Sequence, residues 1–365
     1  MAFSRIKCVG ILTGGGDCPG LNAVIRAVVK DAVQNGIDVV GIRDGFLGLV
    51  EKSMKLLGAE DVSNILTRGG TILGSSNKDN PFHLIEKDSK GKIHYYDRSK
   101  DFPATLKRLG IEALVVLGGD GSMTVAHKLS KMGIKIIGVP KTIDNDLMGT
   151  DMTFGHDTAV SVATEAIDRL HTVADSHHRV VIVEVMGRFA GWLALRSGLA
   201  SGGDIILIPE IPYSEQKVSE TILERRARGK KSSIVVIAEG AYPKGGKMVI
   251  DHISPLSTER FRLGGISRQL AHHLEAKSGI DTRAVILGHV VRGGTPTAFD
   301  RNLATLFGVK AMEMVRKKQF GHMVALRKGE IASVPLSQVG GRTRQIPLNH
   351  ELIKTAKSVG VSFGV

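Results

Sequence analysis

Short apolar runs alternate with helix-like segments along most of the chain, and this alternation restricts the possible folds more than any other feature. The first unit is an apolar run over 6–13, a loop over 14–20 and an amphipathic segment over 21–34. Further strand candidates cover 39–43, 113–117, 135–139, 180–185, 205–208, 234–238 and 284–287, and a second long helix is predicted over about 157–173. These repeated units predict an α/β fold whose mostly parallel strands are joined by right-handed crossovers.

Two acidic loops follow neighbouring strand candidates and carry most of the functional information. The first acidic loop, 118–122, has the sequence Gly-Gly-Asp-Gly-Ser, and the second, 141–146, contains Asp144 and Asp146. Because both follow predicted parallel strands, both should emerge at the same edge of the sheet, where ligands bind in open α/β sheets. Small residues around Asp120 suit backbone contacts to phosphate and a carboxylate ligand for Mg²⁺, and two carboxylates suit removal of a proton from an alcohol. Together the loops predict phosphoryl transfer to a hydroxyl group.

A third loop, 14–20, here called the glycine loop, joins the first strand to the first helix. Its position places an anion at a helix N-terminus. Pro19 stands where the dinucleotide-binding fingerprint has its third glycine, and no Gly-Lys-Ser/Thr sequence makes the loop a Walker motif. A tight strand-to-helix turn is the alternative interpretation, as an ordinary turn is for 144–146.

The chain is strongly basic, with a formal net charge of +13 and a pI near 9.7. Basic surfaces attract nucleic acids, but here the basic residues are scattered along the sequence. The densest run, 225–231, comes where a predicted helix ends, a position that the helix dipole makes favourable for cations. We therefore expect a solvated helix end and no nucleic-acid partner, with an anionic small-molecule effector as the alternative.

The length and cysteine content of the chain indicate two domains and a cytoplasmic location. A chain of 365 residues with 42% hydrophobic content favours two domains over one. Its two cysteines, Cys8 and Cys18, offer no disulfide framework, which favours a reducing compartment. No apolar run is as long as a membrane span, and the N-terminus shows no signal-peptide pattern, so we expect no membrane partner.

Six short blocks occur together along the sequence: 14–20, 68–71 (Arg-Gly-Gly-Thr), 118–122, 141–146, 186–188 (Met-Gly-Arg) and 288–294 (Gly-His-Val-Val-Arg-Gly-Gly). Their order and approximate spacing resemble those of the 6-phosphofructokinase family from about residue 6 to residue 301. The resemblance implies two similar Rossmann-like, three-layer α/β domains with the active site in the cleft between them. The phosphoryl-donor domain would comprise 1–155 and 290–340, and the fructose 6-phosphate domain 156–289 and 341–365.

The resemblance also implies a role for individual residues in a glycolytic enzyme that uses Mg²⁺ and ATP. Asp144 is similar to the family's general base for the sugar 1-hydroxyl, Asp120 to its Mg²⁺ ligand, and Asp146 to an orienting neighbour. The expected donor-binding residues are Gly16, Lys78, Gly119, Asp120, Gly121 and Ser122. The expected fructose 6-phosphate residues are Thr142, Asp144, Asp146, Arg179, Met186, Gly187, Arg188, Glu239, Arg283, His289 and Arg292.

Two of these arginines imply an oligomer. In the family, the equivalents of Arg179 and Arg283 come from the neighbouring subunit, so a homodimer or homotetramer with shared active sites is expected. The acceptor's 6-phosphate is a dianion, for which guanidinium and imidazole groups are suitable ligands.

The phosphoryl donor depends on Gly121 and Lys141. In the family, an aspartate at the position of Gly121 accompanies pyrophosphate use, because its carboxylate excludes the α-phosphate of ATP; glycine leaves that space open. Lys141 is typical of pyrophosphate users and of a branch of mixed character. We favour ATP because exclusion is the stronger constraint and a lysine beside phosphate serves either donor. Pyrophosphate as donor and a noncatalytic phosphometabolite-binding protein are the alternatives.

Overall fold

Two sheets of different size organise the chain in a computed structural model, which describes residues 6–78, 80–88, 90, 92–253 and 261–365. The strands are β1 (Cys8–Thr13), β2 (Asp38–Ile42), β3 (Met54–Leu57), β4 (Leu84–Lys87), β5 (Ile93–Tyr96), β6 (Ala113–Gly118), β7 (Ile136–Pro140), β8 (Val180–Val185), β9 (Ile205–Leu207), β10 (Ser233–Ala238), β11 (Ile250–Ile253), β12 (Phe261–Leu263), β13 (Thr282–Ile286), β14 (His322–Arg327) and β15 (Glu330–Pro335). The helices are α1 (Leu21–Gln34), α2 (Leu47–Glu51), α3 (Phe102–Arg108), α4 (Asp120–Lys131), α5 (His156–His177), α6 (Trp192–Ala200), α7 (Glu215–Ala227), α8 (Ile266–Ser278), α9 (Ala298–Arg316) and α10 (Glu351–Ser358). Short 3-10 helices cover Ser99–Asp101, Gly288–Arg292 and Leu336–Gln338.

The first sheet has seven strands in the order β15-β14-β7-β6-β1-β2-β3. Its five central strands are parallel, and the two edge strands, β15 and β3, are antiparallel to their neighbours. Because β6 and β7 pair in parallel, with Gly118 opposite Pro140, the two acidic loops emerge side by side at one edge. This confirms the shared edge predicted from the sequence.

The second sheet has four strands in the order β13-β8-β10-β9, all parallel. Its central strands β8 and β10 are buried on both faces, as expected for runs of valine and isoleucine covered by helices. The two sheets therefore share a parallel strand-and-helix plan, although the second has fewer strands.

Three apolar cores separate the layers. The first sheet contributes alternate residues to two of them: Val9 and Ile11 of β1 face the central core, whereas Leu12 faces an outer core with α4. In the second sheet, Val181 of β8 faces the central core, and Ile182 faces a separate outer core with α7 and α8. Helices thus cover both faces of each sheet, and the central core joins the two sheets, which is the predicted three-layer arrangement.

Several elements differ from the predicted ones in extent. α1 begins and ends as predicted. α5 continues beyond its predicted apolar stripe to His177 and ends where His178 adopts a φ of 53°, in the left-handed region. Strands β14 and β15 were not predicted. The polar stretch 87–100 is interpreted from the sequence as an inserted hairpin or a mobile excursion. β4 and β5 form an antiparallel hairpin there, and Gly91 lies outside the described residues. Across the described part of the chain, none of the helices combines the length and apolar character that crossing a membrane requires.

Candidate active site

The two acidic loops sit at the carboxyl edge of the first sheet and hold each other in place. Lys141 N donates to the Gly118 carbonyl at 3.0 Å, and a Cβ atom placed on Gly119 would lie 3.4 Å from the Lys141 carbonyl oxygen. Asp120 is the first residue of α4, so the helix dipole and the free N–H groups of the first turn point toward this edge. Such an edge attracts phosphate oxygens.

The glycine loop lies against the same edge. Lys141 Nζ donates to the Gly16 carbonyl oxygen, and a Cβ atom on Gly15 would lie 3.5 Å from Lys141 Nζ and 3.6 Å from Ser122 Oγ. Gly15 has a φ of 74°, in the left-handed region that favours glycine. The structure therefore brings Gly16, Ser122 and Lys141 together around one concave stretch of backbone.

Lys78 lies at the margin of this region. Its loop is tied to the glycine loop because Gly15 N donates to the Ser76 carbonyl at 2.9 Å and Ser75 Oγ donates to the Gly15 carbonyl. Lys78 itself is exposed, and its backbone N–H donates to Ser76 Oγ at 3.1 Å. This arrangement leaves the Lys78 side chain at the rim of the predicted donor site.

Two of the carboxylates in the acidic loops act on the third, Asp146. Burial, with the added charges of Asp144 and Asp120, raises the pKa of Asp146 to about 7, and the charge of Arg344 opposes the rise. Burial also raises the pKa of Asp120, against hydrogen bonds from the backbone of Gly341 and Arg342. Asp144 N donates to Thr142 Oγ1 at 3.1 Å, which fixes the backbone beside the predicted base. Clustered carboxyl groups whose pKa is raised toward neutral pH are suited to proton transfer at physiological pH.

The second sheet supplies the opposite wall. Met186, Gly187 and Arg188 follow β8, and Gly240 packs so closely that a Cβ atom on it would lie 1.8 Å from the Arg188 carbonyl oxygen. Gly187 has a φ of 140°, and Gly240 N donates to its carbonyl at 3.0 Å. This loop, 186–191, is here called the sugar loop.

Glu239 shows that the two walls meet. Burial raises the pKa of Glu239 to about 8, and the charge of Asp144, from the first sheet, is the next largest cause. A hydrogen bond from the Gly187 backbone N–H and the charge of Arg292 act in the opposite direction. Arg292 also reaches the glycine loop, where its Nη1 donates to the Asp17 carbonyl at 3.3 Å. Residues predicted from both sheets therefore surround one cleft, with His289 exposed on the 3-10 helix beside it.

Two predicted residues do not join this cleft. Arg179 immediately precedes β8, and Arg283 is the second residue of β13, so both lie at the amino edge of the second sheet. Both pair with Asp281: Arg179 Nη2 lies 3.2 Å from Oδ2, and Arg283 Nη2 lies 2.7 Å from Oδ1. The sugar loop leaves the far end of β8, six residues away, which is roughly 20 Å at the usual rise per residue.

Two residues of structural importance were missed from the sequence. Glu184 lies inside β8, which we described as apolar, and its carboxylate accepts hydrogen bonds from Gly265 N at 2.9 Å and Ser267 N at 3.0 Å at the start of α8. The available sequence signal was a glutamate within a run of valine and isoleucine, where a charged side chain needs hydrogen-bond partners. Arg344 contacts the second acidic loop from almost 200 positions further along the chain, and no local pattern indicated it.

The candidate metal ligand is a single carboxylate. Within 6–253 and 261–365, apart from the few positions left undescribed, no group of three or more His, Cys, Asp or Glu residues could hold a metal ion. A half-buried Asp120 at the phosphate-facing edge fits Mg²⁺ all the same, because Mg²⁺ is usually bound by one or two carboxylates together with substrate phosphates and water.

Comparison with known proteins gives a consistent result. Residues 8–315 match the family described as Phosphofructokinase. The chain is 50% identical over 360 residues to ATP-dependent 6-phosphofructokinase 2 of Clostridium perfringens, covering 98% of each chain. It is 49% identical to the pyrophosphate--fructose 6-phosphate 1-phosphotransferase of Amycolatopsis methanolica, covering 93% of this chain and 96% of that one. The solved phosphofructokinase of Saccharomyces cerevisiae superposes with a TM-score of 0.75 at 32% identity, over 97% of this chain and 46% of the longer yeast chain.

Proposed function

This chain belongs to the phosphofructokinase family, and we propose that the cleft between its two sheets is where it carries out phosphoryl transfer. The enzyme phosphorylates fructose 6-phosphate at the 1-hydroxyl group, with ATP as donor, and so acts in glycolysis. The observation that carries the proposal is the contact of Arg292, which follows the second sheet, with the glycine loop of the first, beside the carboxylates of Asp144 and Glu239. An acid–base group on one wall and cationic sugar-phosphate ligands on the other are what the reaction requires.

Asp144 acts as the general base in this proposal. Its carboxylate takes the proton of the sugar 1-hydroxyl as the oxygen attacks the γ-phosphorus, and the bond from that phosphorus to the bridging oxygen of the β-phosphate breaks, which releases ADP. Thr142 and Asp146 hold the loop around it, and the raised pKa of Asp146 favours the neutral form of this neighbour, which limits repulsion within the pair. General-base assistance typically contributes about 100- to 10,000-fold to the rate.

ATP enters over the glycine loop and the first acidic loop. A Cβ atom on Gly121 meets no heavy atom of the described residues within 4 Å, beyond the local backbone of its own helix, so an aspartate at this position would project into open space where a nucleotide phosphate passes. Gly16, Gly119 and Ser122 supply backbone and hydroxyl contacts to the phosphates, and Lys78 supplies charge at the rim. Lys141 lies among Gly15, Gly16 and Ser122, a position that serves the phosphates of ATP and pyrophosphate alike.

Mg²⁺ is the metal of this reaction, and Asp120 would hold it. The ion neutralises charge on the donor phosphates when it is bound. The Asp120 carboxylate is kept at the edge by Gly341 N, which donates to its Oδ1 at 2.7 Å.

Fructose 6-phosphate binds against the second sheet. Met186, Gly187, Arg188 and Glu239 hold the sugar, and His289 and Arg292 bind the 6-phosphate. Arg179 and Arg283 complete that phosphate site from a neighbouring copy, because the amino edge on which they lie is too far from the cleft of their own chain. We therefore propose a homodimer or homotetramer with shared sites.

The domain division follows the two sheets. Strands β14 and β15 join the first sheet, whereas α10 packs on α6 and Ser362 pairs with Ile205 beside the second. This arrangement supports a donor domain of 1–155 with 290–340 and a fructose 6-phosphate domain of 156–289 with 341–365. The free state of Cys8 and Cys18 supports a location in the reducing cytoplasm.

A coupled assay with fructose 6-phosphate tests the function directly. Turnover with Mg²⁺ and ATP, and much less with pyrophosphate, is the expected result. Turnover with pyrophosphate but not with ATP would contradict the proposal that ATP is the phosphoryl donor. Binding of fructose 6-phosphate without turnover by either donor would leave only a phosphometabolite-binding protein.

A further inference from the structure

Arg344 lies on a segment that connects the walls of the cleft. This segment, 340–346, is here called the strap. At one end Gly341 N bonds to Asp120, and at the other Ile346 N donates to Glu210 Oε1 at 2.9 Å. Glu210 in turn accepts from Gly191 N, at the end of the sugar loop, at 3.1 Å. The strap therefore runs from the first acidic loop to the sugar loop.

The guanidinium of Arg344 binds the backbone of the second acidic loop. Its Nε and Nη2 atoms donate to the Asn145 carbonyl at 3.1 and 2.8 Å, and Nη2 also donates to the Asp151 carbonyl at 3.1 Å. The backbone N–H of Arg344 donates to the Asp146 carbonyl at 2.7 Å. Two successive carbonyls of the loop that carries the base are thus held by one residue.

Asn145 has a backbone conformation that needs such support. Its φ of 53° lies in the left-handed region, which costs free energy for a residue other than glycine. The conformation turns the chain between Asp144 and Asp146, and Asn145 is itself fully buried. A strained turn at a reacting group persists only where its surroundings fix it.

The other face of Arg344 contacts Trp192, the first residue after the sugar loop. The guanidinium carbon lies 4.4 Å from the centroid of the indole ring, and Trp192 Nε1 donates to the Arg344 carbonyl at 2.8 Å. A planar guanidinium can stack on the indole and bond the carbonyls at the same time, whereas a lysine ammonium lacks this geometry.

We propose that Arg344 is a positioning residue for phosphoryl transfer, which fixes the second acidic loop against the sugar loop and so keeps the Asp144 carboxylate aligned with the acceptor hydroxyl. The proposal rests on the function proposed for Asp144. Misplacement of a reacting group by about 1 Å can cost on the order of 100-fold in rate. The loss should fall on kcat, because the Arg344 guanidinium bonds to backbone carbonyls of the loop that carries the base, whereas on the sugar side it stacks on Trp192, a residue to which we assign no substrate contact.

The test compares Arg344→Lys and Arg344→Ala with Arg169→Ala, which removes an exposed arginine of α5 that pairs with Glu165. We expect kcat to fall roughly 10- to 100-fold in both Arg344 variants, with KM for fructose 6-phosphate and ATP changing less than about threefold. Added guanidinium ion should restore part of the kcat of Arg344→Ala and should not raise that of Arg344→Lys or Arg169→Ala. Trp192 is the only tryptophan of the chain, so its fluorescence reports directly whether the stack is lost and whether each variant is folded.

Several results would overturn the proposal. These are a kcat within twofold of the unaltered enzyme in both variants, a loss confined to KM, or a folded Arg344→Ala that guanidinium ion leaves unchanged. If Arg344→Ala does not fold, the kcat and KM of Arg344→Lys decide the matter. Failure of the proposed function is distinguishable, because the unaltered chain would then show no turnover.

Discussion

The two ends of the second sheet carry similar cations in different surroundings. At the carboxyl end, Arg292 faces the first sheet and contacts the glycine loop. At the amino end, Arg179 and Arg283 share Asp281, and the Arg283 side chain is 55% exposed. Under our proposal, one chain gathers the reacting groups but only part of the positive charge that a phosphate dianion needs. The comparison of the two ends is therefore the basis for proposing that the reacting groups lie within one chain and that the sugar-phosphate site is completed between chains.

The largest effect is expected at the carboxyl end, from Asp144→Asn. An amide keeps the size and hydrogen bonding of the side chain but cannot accept the proton, so kcat should fall about 100- to 10,000-fold. Fructose 6-phosphate affinity should stay nearly unchanged. Steady-state kinetics with binding followed by Trp192 fluorescence separates the two quantities, and near-normal turnover would remove Asp144 from the role of base.

Gly121→Asp should change the donor rather than the sugar site. Gly121 has no positive φ, and its missing side chain points to open space, so the loop should tolerate aspartate. The new carboxylate would repel the α-phosphate of ATP by about 1–4 kcal/mol at 4 Å, depending on the local dielectric. We expect kcat/KM to fall on the order of 10- to 1,000-fold with ATP and far less with pyrophosphate. Gly121→Ala is the matched control, and equal losses with both donors in Gly121→Asp would show that the substitution damages the loop.

Arg283→Ala tests the amino end. A hydrogen bond to a charged group contributes about 1.5–3 kcal/mol, so KM for fructose 6-phosphate should rise roughly 10- to 100-fold. The kcat at saturating sugar and the KM for ATP should change little. Arg169→Ala, with a comparable loss of one exposed arginine, should leave all three constants unchanged. A loss in kcat with an unchanged KM would place Arg283 in a different role.

The smallest effect concerns the pH dependence of stability at Glu239. Its pKa is raised from the model-compound value of 4.5 to about 8, so the folded state binds more protons than the unfolded state between these values. The contribution of this group to stability is therefore fully present below about pH 4.5 and is lost as pH rises through 8. Glu239→Gln should consequently raise the Tm relative to the unaltered protein by a few degrees at pH 9, and this advantage should disappear near pH 5. A Tm difference independent of pH would contradict the raised pKa.

The sequence could predict the features that depend on local pattern and strand direction. The α1 boundaries follow from helical periodicity and from Gly36, a residue type that commonly ends helices and here has a φ of 61°. The side-by-side acidic loops follow from two parallel strands. The position of Arg179 at the amino edge of the sheet could also be predicted, because Arg179 precedes a strand whose far end leads to the sugar loop.

Features that depend on distant contacts could not be predicted. Strands β14 and β15 join the first sheet some 180 positions after β7, and no pattern in 322–335 shows which sheet they extend. The hydrogen bonds of Arg344 to Asn145 arise only when the strap returns across the cleft. The raised pKa of Glu239 depends first on burial and then on the charge of Asp144, which the other sheet supplies. Tertiary packing, not local propensity, determines each of these.

A subunit-mixing experiment tests most directly whether the sugar site is completed between chains. Asp144→Asn and Arg283→Ala subunits are dissociated together, reassociated in equal amounts and assayed at low fructose 6-phosphate, with hybrid formation measured by native mass spectrometry. In a symmetric dimer with random mixing, half of the molecules are hybrids, and one of the two sites in each hybrid pairs an intact Asp144 with an intact Arg283. Our interpretation predicts recovery of roughly one quarter of the unaltered activity, above the sum of the two variants treated separately. No recovery despite proven hybrids, or full activity in an isolated monomer, would contradict it.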